Sequence, residues 1–186
     1  MHFGNRLGFI FFSFSTTLAL LAGIKSPSLL AWLAVPHNLI LSVLYLVRNE
    51  EKTSNRNGLW LGLIAALLPM TSYSKGIHPA WLVFSLSGYV LMIWSLLRLG
   101  KSFGIAPADR GLVTQTPYNV VRHPMYLGEL AYRWGLVYSS LTPLSMILFV
   151  LLIGIQVARI IMEEKIISGY TEYQSATRWR LLPGIW

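Results

Sequence analysis

The chain has 186 residues, of which 54% are hydrophobic and only 12% are charged, and its mean hydropathy is +0.55. Soluble globular domains carry roughly 25% charged residues, so this composition excludes an ordinary soluble domain and predicts an all-α, polytopic integral membrane protein. The net charge of +8 does not predict nucleic-acid binding, because the basic residues are dispersed at helix ends rather than gathered in one stripe. The sequence has no cysteine and four scattered histidines, so it predicts no thiolate nucleophile and no metal site.

The apolar segments predict a bundle of five to six transmembrane helices, since a span requires about 20 residues. In chain order the segments are Leu7–Ile24, Leu29–Val47, Leu59–Tyr73, Ala80–Leu99, Pro124–Tyr138 and Thr142–Met162. The third and fifth are short, so a thinner bilayer or partial insertion must compensate for their length. Only Ser139-Ser140-Leu141 separates the last two segments, which predicts a tight helical hairpin. Gly58 and Gly62, four residues apart, are compatible with a close helix contact.

The basic residues predict the orientation of these segments. With the amino terminus in the cytosol, the cytosolic ends and loops carry eleven Lys and Arg residues, whereas the opposite side carries only Lys25 and Lys75. By the positive-inside rule, both termini and the 100–123 loop then face the cytosol. We expect the cytoplasmic membrane in a bacterium or an archaeon, and the endoplasmic reticulum in a eukaryote.

Charged residues also fall within the last two apolar segments, where lipid makes isolated charges costly. Glu129 and Arg133 are spaced i, i+4, as are Arg159 and Glu163, so each pair can form an ion pair on one helix face. These pairs are compatible with structural salt bridges near the interface and with a functional site inside the protein. Glu164 adds a second carboxylate to the same helix end, where the helix dipole disfavours negative charge, so we expect a cationic side chain or ligand there.

Residues 110–128 form a polar, aromatic and basic stretch between two membrane-length apolar segments. Such a stretch is a poor membrane anchor and is suited to hold a soluble cofactor at the bilayer surface. Pro124 suits the first turn of the following helix, because a missing N–H costs nothing there. At the start of the stretch, Asp109-Arg110-Gly111 is predicted to be a solvated turn.

The second half of the chain carries a set of short sequence elements. They are Leu112-Val113-Thr114, Pro117-Tyr118, Arg122-His123-Pro124-Met125-Tyr126-Leu127-Gly128, Arg159, Glu163-Glu164, Tyr170, Tyr173 and Leu182-Pro183. Together they resemble the signature of isoprenylcysteine carboxyl methyltransferases and the related membrane phospholipid methyltransferases. The resemblance implies a small helical membrane enzyme that transfers a methyl group from S-adenosylmethionine to a lipid-like acceptor. We expect one membrane domain over residues 1–186, with N-terminal spans in 1–75 and a methyltransferase-like catalytic region in 98–186.

The resemblance also implies roles for individual side chains. Arg159 matches the arginine that lies near the acceptor and is needed for transfer. Arg110 departs from the family pattern, which commonly has histidine there, and Thr116 departs from the usual glycine. The residues implied to contact the cofactor are Leu112, Val113, Tyr118, His123, Pro124, Met125, Tyr126 and Glu163.

The chemistry of these residues suits S-adenosylmethionine, which carries a sulfonium, an ammonium, a carboxylate and an adenine. The ring faces of Tyr118 and Tyr126 attract a cation within about 6 Å of the centroid. Glu163 can accept a charge-assisted hydrogen bond from the ammonium or a ribose hydroxyl, and His123 can bond to the adenine or the carboxylate. The free N–H groups at the helix start after Pro124 can also bind the carboxylate.

Methyl transfer is a direct displacement that requires alignment more than acid or base. Arg159 can hold a carboxylate acceptor bidentately and direct one oxygen at the methyl carbon. An amine or hydroxyl acceptor would require a base, for which Glu129 is the candidate. An isoprenylcysteine-like carboxylate, a phospholipid amine, a small thiol and an isoprenoid acid are all compatible acceptors, whose tails would enter sideways between helices.

Two other classes of protein are compatible with the sequence. One is an NADPH-dependent reductase of the sterol type, although such enzymes usually have a longer chain and additional basic residues for the 2′-phosphate. The other is a non-enzymatic membrane protein such as a transporter, although internal repeats and broken midplane helices are not evident in the sequence.

Overall fold

The chain divides into two compact units, Met1–Asn49 and Glu50–Trp186. The computed structural model describes residues 3–25, 29–53, 56–68 and 78–186. The α-helices in these residues are α1 (Phe3–Lys25), α2 (Leu29–Trp32), α3 (Ala34–Val47), α4 (Arg56–Leu67), α5 (Pro79–Leu99), α6 (Pro124–Ser140), α7 (Pro143–Ile166) and α8 (Tyr170–Ala176). The described residues contain no β-strand, which confirms the all-α prediction.

Three of the described helices are long and apolar enough to cross a membrane. They cover Gly4–Lys25, Pro79–Ser102 and Pro143–Ile166, whereas α3 is apolar but shorter. The predicted segment Leu59–Tyr73 begins within α4, and its end lies outside the described residues. The number of spans and their orientation therefore remain predictions.

The first unit contains a helix break that the sequence pattern did not predict. Leu29–Val47 was expected to form one helix, but a turn at Leu33 separates α2 from α3. Pro36 explains the break, because a proline cannot donate the i→i−4 hydrogen bond and is tolerated only in the first turn of a helix. Beyond it, α3 packs on α1, where the rings of Phe12 and Tyr45 lie 5.4 Å apart.

In the second unit, α6 and α7 form the predicted tight hairpin, joined by Leu141 and Thr142. Leu141 adopts a left-handed conformation (φ 35°), and its N–H donates to the carbonyl of Val137 at 2.8 Å. Thr142 and Ser145 form a capping box, in which each side chain accepts a hydrogen bond from the other's backbone N–H at 3.1 Å. The hairpin brings the start of α6 and the end of α7 to the same side of the unit.

The contact between α5 and α6 depends on two glycines. A Cβ atom at Gly128 would lie 2.5 Å from the backbone nitrogen of Met92 and 2.7 Å from the carbonyl oxygen of Gly88. A Cβ atom at Gly88 would lie 2.6 Å from the backbone nitrogen of Tyr132. These distances are far below van der Waals contact, so only glycine permits the two backbones to approach this closely.

The glycine pair of α4 packs against a loop rather than against another helix. A Cβ atom at Gly58 would lie 2.6 Å from the ring of Pro107, and one at Gly62 would lie 2.5 Å from the carbonyl oxygen of Ile105. The pair therefore does mediate close packing, and its partner is the loop that follows α5.

We predict that Gly128→Ala destabilises the protein by about 1–3 kcal/mol, because the added methyl group must push α5 and α6 apart. Gly154→Ala in α7 is the matched control, since a Cβ atom there has no neighbour within 4 Å. The control should be neutral or stabilised by roughly 0.5–1 kcal/mol. Thermal unfolding in detergent, followed by tryptophan fluorescence, measures both variants. Equal unfolding midpoints for the two variants would contradict the proposed close packing.

Candidate active site

The second unit contains a hollow of about 670 Å³, measured out to its open mouth. Its walls are the loop after α5, the start of α6, the end of α7 and α8. Of the residues that the family resemblance implies as cofactor contacts, the hollow is lined by Leu112, Val113, Tyr118, His123, Met125, Tyr126 and Glu163.

Pro124, which the family resemblance implies as a cofactor contact, lies outside this lining. It is fully buried as the first residue of α6. Its role is to begin the helix, where its fixed φ angle is favourable and its missing N–H has no cost.

Three predicted site residues contact one another in the lining of the hollow. The hydroxyl of Tyr126 donates a hydrogen bond to Glu163 Oε1, and His123 Nδ1 lies 3.7 Å from Glu163 Oε2. The rings of His123 and Tyr126 are stacked, with centroids 5.8 Å apart. The helical hairpin produces this cluster, because it brings the first turn of α6 beside the last turn of α7.

Glu164 faces a different set of partners from Glu163, since successive side chains on a helix point about 100° apart. Arg180 binds it bidentately, with Nη2 at 2.8 Å from Oε2 and Nε at 3.0 Å from Oε1. Arg122 Nη2 and His123 Nε2 lie 3.4 Å and 3.3 Å from Oε1. This confirms the prediction that the acidic end of α7 has cationic partners.

The carboxy-terminal segment is attached to the residues that precede α6. The N–H of Arg122 donates to the carbonyl of Trp179 at 2.8 Å, and the N–H of His123 donates to the carbonyl of Arg180 at 2.9 Å. The carbonyl of Trp186 accepts hydrogen bonds from Arg180 N–H and Leu181 N–H at 2.9 Å and 3.0 Å. These backbone bonds hold Arg122 and His123 in place beside the hollow.

The prediction of a solvated turn at Asp109-Arg110-Gly111 is wrong, because Asp109 is 2% exposed and Arg110 is 5% exposed. The carboxylate of Asp109 accepts hydrogen bonds from Ser168 Oγ at 2.6 Å, Ser168 N at 3.3 Å and Gly111 N at 3.1 Å. These bonds, that from the Ser168 hydroxyl foremost, lower the pKa of Asp109 below its usual range. The turn is buried because it folds back onto the segment after α7.

The lining also includes Arg110, Tyr170 and Tyr173, none of which was predicted as a cofactor contact. Arg110 forms an ion pair with Glu51. Tyr173 donates to the carbonyl of Tyr118 at 2.6 Å. Burial raises the pKa of Tyr118, Tyr170 and Tyr173 well above the usual value, so these phenols remain neutral hydrogen-bonding groups.

The two predicted catalytic residues, Arg159 and Glu129, lie outside the lining and are connected by Gln156. Arg159 donates to Gln156 Oε1 at 3.1 Å and to the carbonyl of Ile105 at 3.0 Å, and its guanidinium lies 4.8 Å from the ring centroid of Tyr126. Gln156 donates to Glu129 Oε2 at 2.6 Å. Arg159 is thus separated from the hollow by one aromatic ring.

Glu129 is held by two partners. Arg133 Nη2 lies 2.8 Å from Glu129 Oε1, which confirms the i, i+4 salt bridge, and Gln156 bonds to the other oxygen. Gln156 is completely buried. Sequence reasoning missed it, because a single uncharged amide in an apolar helix carries no charge or motif that would mark it as functional.

Comparison with known proteins supplies the reaction class. The family model for phospholipid methyltransferase matches residues 79–171, from the start of α5 into α8, which is half of the chain. The chain belongs to the phospholipid methyltransferase family. No curated protein matches it.

Family membership confirms the resemblance drawn from the sequence elements, and the matched range contains nearly all of the hollow's lining. The protein is a membrane methyltransferase of this family, as its long apolar helices also indicate. The match favours methyl transfer over the reductase and transporter alternatives.

We predict that Asp109→Asn destabilises this phospholipid methyltransferase family member by about 1–3 kcal/mol at pH 7, because the amide replaces an acceptor with a donor that faces N–H groups. The folded-state pKa is lowered, so the ionised carboxylate stabilises the fold above about pH 4 and loses this effect as the pH falls through the folded pKa. The difference in unfolding midpoint from the wild type should therefore narrow below about pH 4. The exposed Glu172→Gln is the control, and a pH-independent difference for Asp109→Asn would contradict the prediction.

Proposed function

We propose that the protein transfers a methyl group from S-adenosylmethionine to the polar head of a lipophilic acceptor, at the cytosolic face of the membrane. The observation that carries the proposal is the convergence of Glu163, Tyr126 and His123 in one hollow within the region that matches the family. The excess of Lys and Arg in the loops that the positive-inside rule places in the cytosol supports this orientation.

The lining fits the chemical groups of S-adenosylmethionine. Glu163 supplies a carboxylate for the ammonium or a ribose hydroxyl. Tyr118 and Tyr126 supply aromatic faces for the sulfonium and the adenine. The side chain of Arg122 is 6% exposed, and its Nε has no hydrogen-bond partner among the described residues, so the hollow also offers a buried donor for an anionic group.

S-adenosylmethionine, when bound, supplies an electrophilic methyl group on a sulfonium. The contribution of the chain is binding and alignment, which suits a displacement that requires little acid or base. Glu163 and Tyr126 are fixed against each other by their hydrogen bond, and the hairpin fixes the helices that carry them. The site is therefore preorganised on rigid elements rather than on a free loop.

The geometry favours a carboxylate as the acceptor, such as that of an isoprenylcysteine-like lipid. Arg159 is the buried cation next to the ring of Tyr126, and a guanidinium matches a carboxylate bidentately. A carboxylate arrives already ionised and requires no base. Glu129, the candidate base for an amine or hydroxyl, lies outside the lining as Arg159 does, but both of its carboxylate oxygens already accept hydrogen bonds, from Arg133 and Gln156.

We predict that Glu163→Gln raises the Kd for S-adenosylmethionine by about 10- to 100-fold, because a charge-assisted hydrogen bond contributes roughly 1.5–3 kcal/mol. Isothermal titration calorimetry in detergent measures the change. Glu172→Gln, the same substitution at an exposed position of α8, is the control and should leave the Kd unchanged. Failure of the intact protein to bind S-adenosylmethionine would overturn the proposed function.

We predict that Arg159→Ala lowers methyl transfer by at least about 100-fold while the Kd for S-adenosylmethionine changes little, because acceptor alignment is lost. The assay incubates the protein with a lipid extract and methyl-labelled S-adenosylmethionine, and mass spectrometry identifies the lipid that gains the label. Labelling of an amine rather than a carboxylate would contradict the proposed acceptor class. Unchanged transfer would remove Arg159 from the mechanism.

A further inference from the structure

We propose that Arg122 binds a carboxylate in the hollow, so that Arg122 and Glu163 together recognise the zwitterionic amino-acid end of the methyl donor. This inference rests on the proposed function and extends it, because it assigns the part of the hollow that holds the amino-acid group. It also assigns a role to a residue that the family resemblance left without one.

The guanidinium of Arg122 makes only long hydrogen bonds, and one of its N–H groups has no partner among the described residues. Its side chain is 6% exposed and lines the hollow. Nη1 lies 3.4 Å from Gln174 Oε1 and Nη2 lies 3.4 Å from Glu164 Oε1, whereas strong charge-assisted bonds are about 2.7–2.9 Å long. Nε has no hydrogen-bond partner among the described residues. A buried N–H without a partner is unfavourable, so an anion at this place would be stabilised.

The neighbouring charges are engaged elsewhere, which leaves Arg122 available. Arg180 binds Glu164 bidentately, at 2.8 Å and 3.0 Å, and so takes the carboxylate that lies nearest to Arg122. Arg110, the other guanidinium in the lining, forms an ion pair with Glu51. The long contact from Arg122 to Glu164 is therefore the weaker of two that this carboxylate makes with arginines.

Glu163 supplies the opposite charge in the same hollow. Its carboxylate accepts a hydrogen bond from the hydroxyl of Tyr126 and lies 3.7 Å from Nδ1 of His123. One carboxylate and one guanidinium in a shared lining match the ammonium and the carboxylate of an α-amino acid. The helix start was the expected carboxylate site, but Pro124 has no N–H and the N–H of Leu127 donates to the carbonyl of His123 at 3.2 Å, so Arg122 offers the more complete donor set.

The test compares two ligands that differ only in the carboxylate: S-adenosylmethionine and decarboxylated S-adenosylmethionine. Calorimetry on the intact protein in detergent gives both dissociation constants. The wild type should bind S-adenosylmethionine at least about 10-fold more tightly. Arg122→Gln should weaken S-adenosylmethionine by about 10- to 100-fold and leave the decarboxylated ligand unchanged or tighter. Arg122→Lys keeps the charge without the planar fork, and should retain part of the preference.

Arg178→Gln is the matched control, because Arg178 is an exposed arginine of the same carboxy-terminal segment and does not line the hollow. It should keep the wild-type preference between the two ligands. The inference is overturned if the wild type binds both ligands equally, or if Arg122→Gln weakens both by the same factor. If Arg122→Gln does not fold, the wild-type preference and Arg122→Lys decide the matter. Binding of neither ligand by the wild type would instead overturn the proposed function, and this inference with it.

Discussion

Two adjacent carboxylates at the end of α7 constrain the whole site. The helix dipole disfavours negative charge at this end, and neighbouring side chains diverge, so Glu163 and Glu164 need separate partners. Glu164 binds Arg180 and thereby attaches the carboxy-terminal segment. Glu163 instead lines the hollow and accepts a hydrogen bond from the hydroxyl of Tyr126. The same charges that would destabilise an isolated helix end therefore hold the segments around the site together.

The hollow is formed by elements that are distant in sequence. Close packing at Gly128 sets α6 against α5, and the hairpin sets α6 against α7. Asp109 then accepts hydrogen bonds from Ser168, just after the end of α7, and so attaches the loop after α5 to that segment. Because each element is held by a buried contact, the binding groups keep their relative positions without a ligand, which is the condition for efficient alignment in a displacement reaction.

The structural features that depend on short stretches of sequence were predicted correctly. Apolar length predicted the long helices, and the i, i+4 spacing predicted the salt bridge between Glu129 and Arg133. The sequence could not predict what depends on distant partners. Asp109 reads as a surface turn until Ser168, 59 residues away, is placed beside it. Gln156 carries no charge and stands in an apolar helix, so only the structure places it between Glu129 and Arg159.

Two residues of the contiguous element 122–126 lie where the family resemblance alone does not place them. At a helix start, successive side chains point in different directions. Met125 and Tyr126 therefore face the hollow while Pro124 faces the core. Arg122 precedes the helix and enters the lining because its backbone is bonded to the carboxy-terminal segment.

About one helical turn of α7 separates Arg159 from Glu163, and this spacing fixes the positions of the two side chains relative to each other. Four residues at about 1.5 Å each set an axial offset of about 6 Å between the side chain that faces the ring of Tyr126 and the one that faces the hollow. A single inserted residue between them would rotate one by about 100° relative to the other. The pitch of the α-helix therefore sets the position of the proposed acceptor-binding arginine relative to the hollow, and a change in the length of this turn would separate the two.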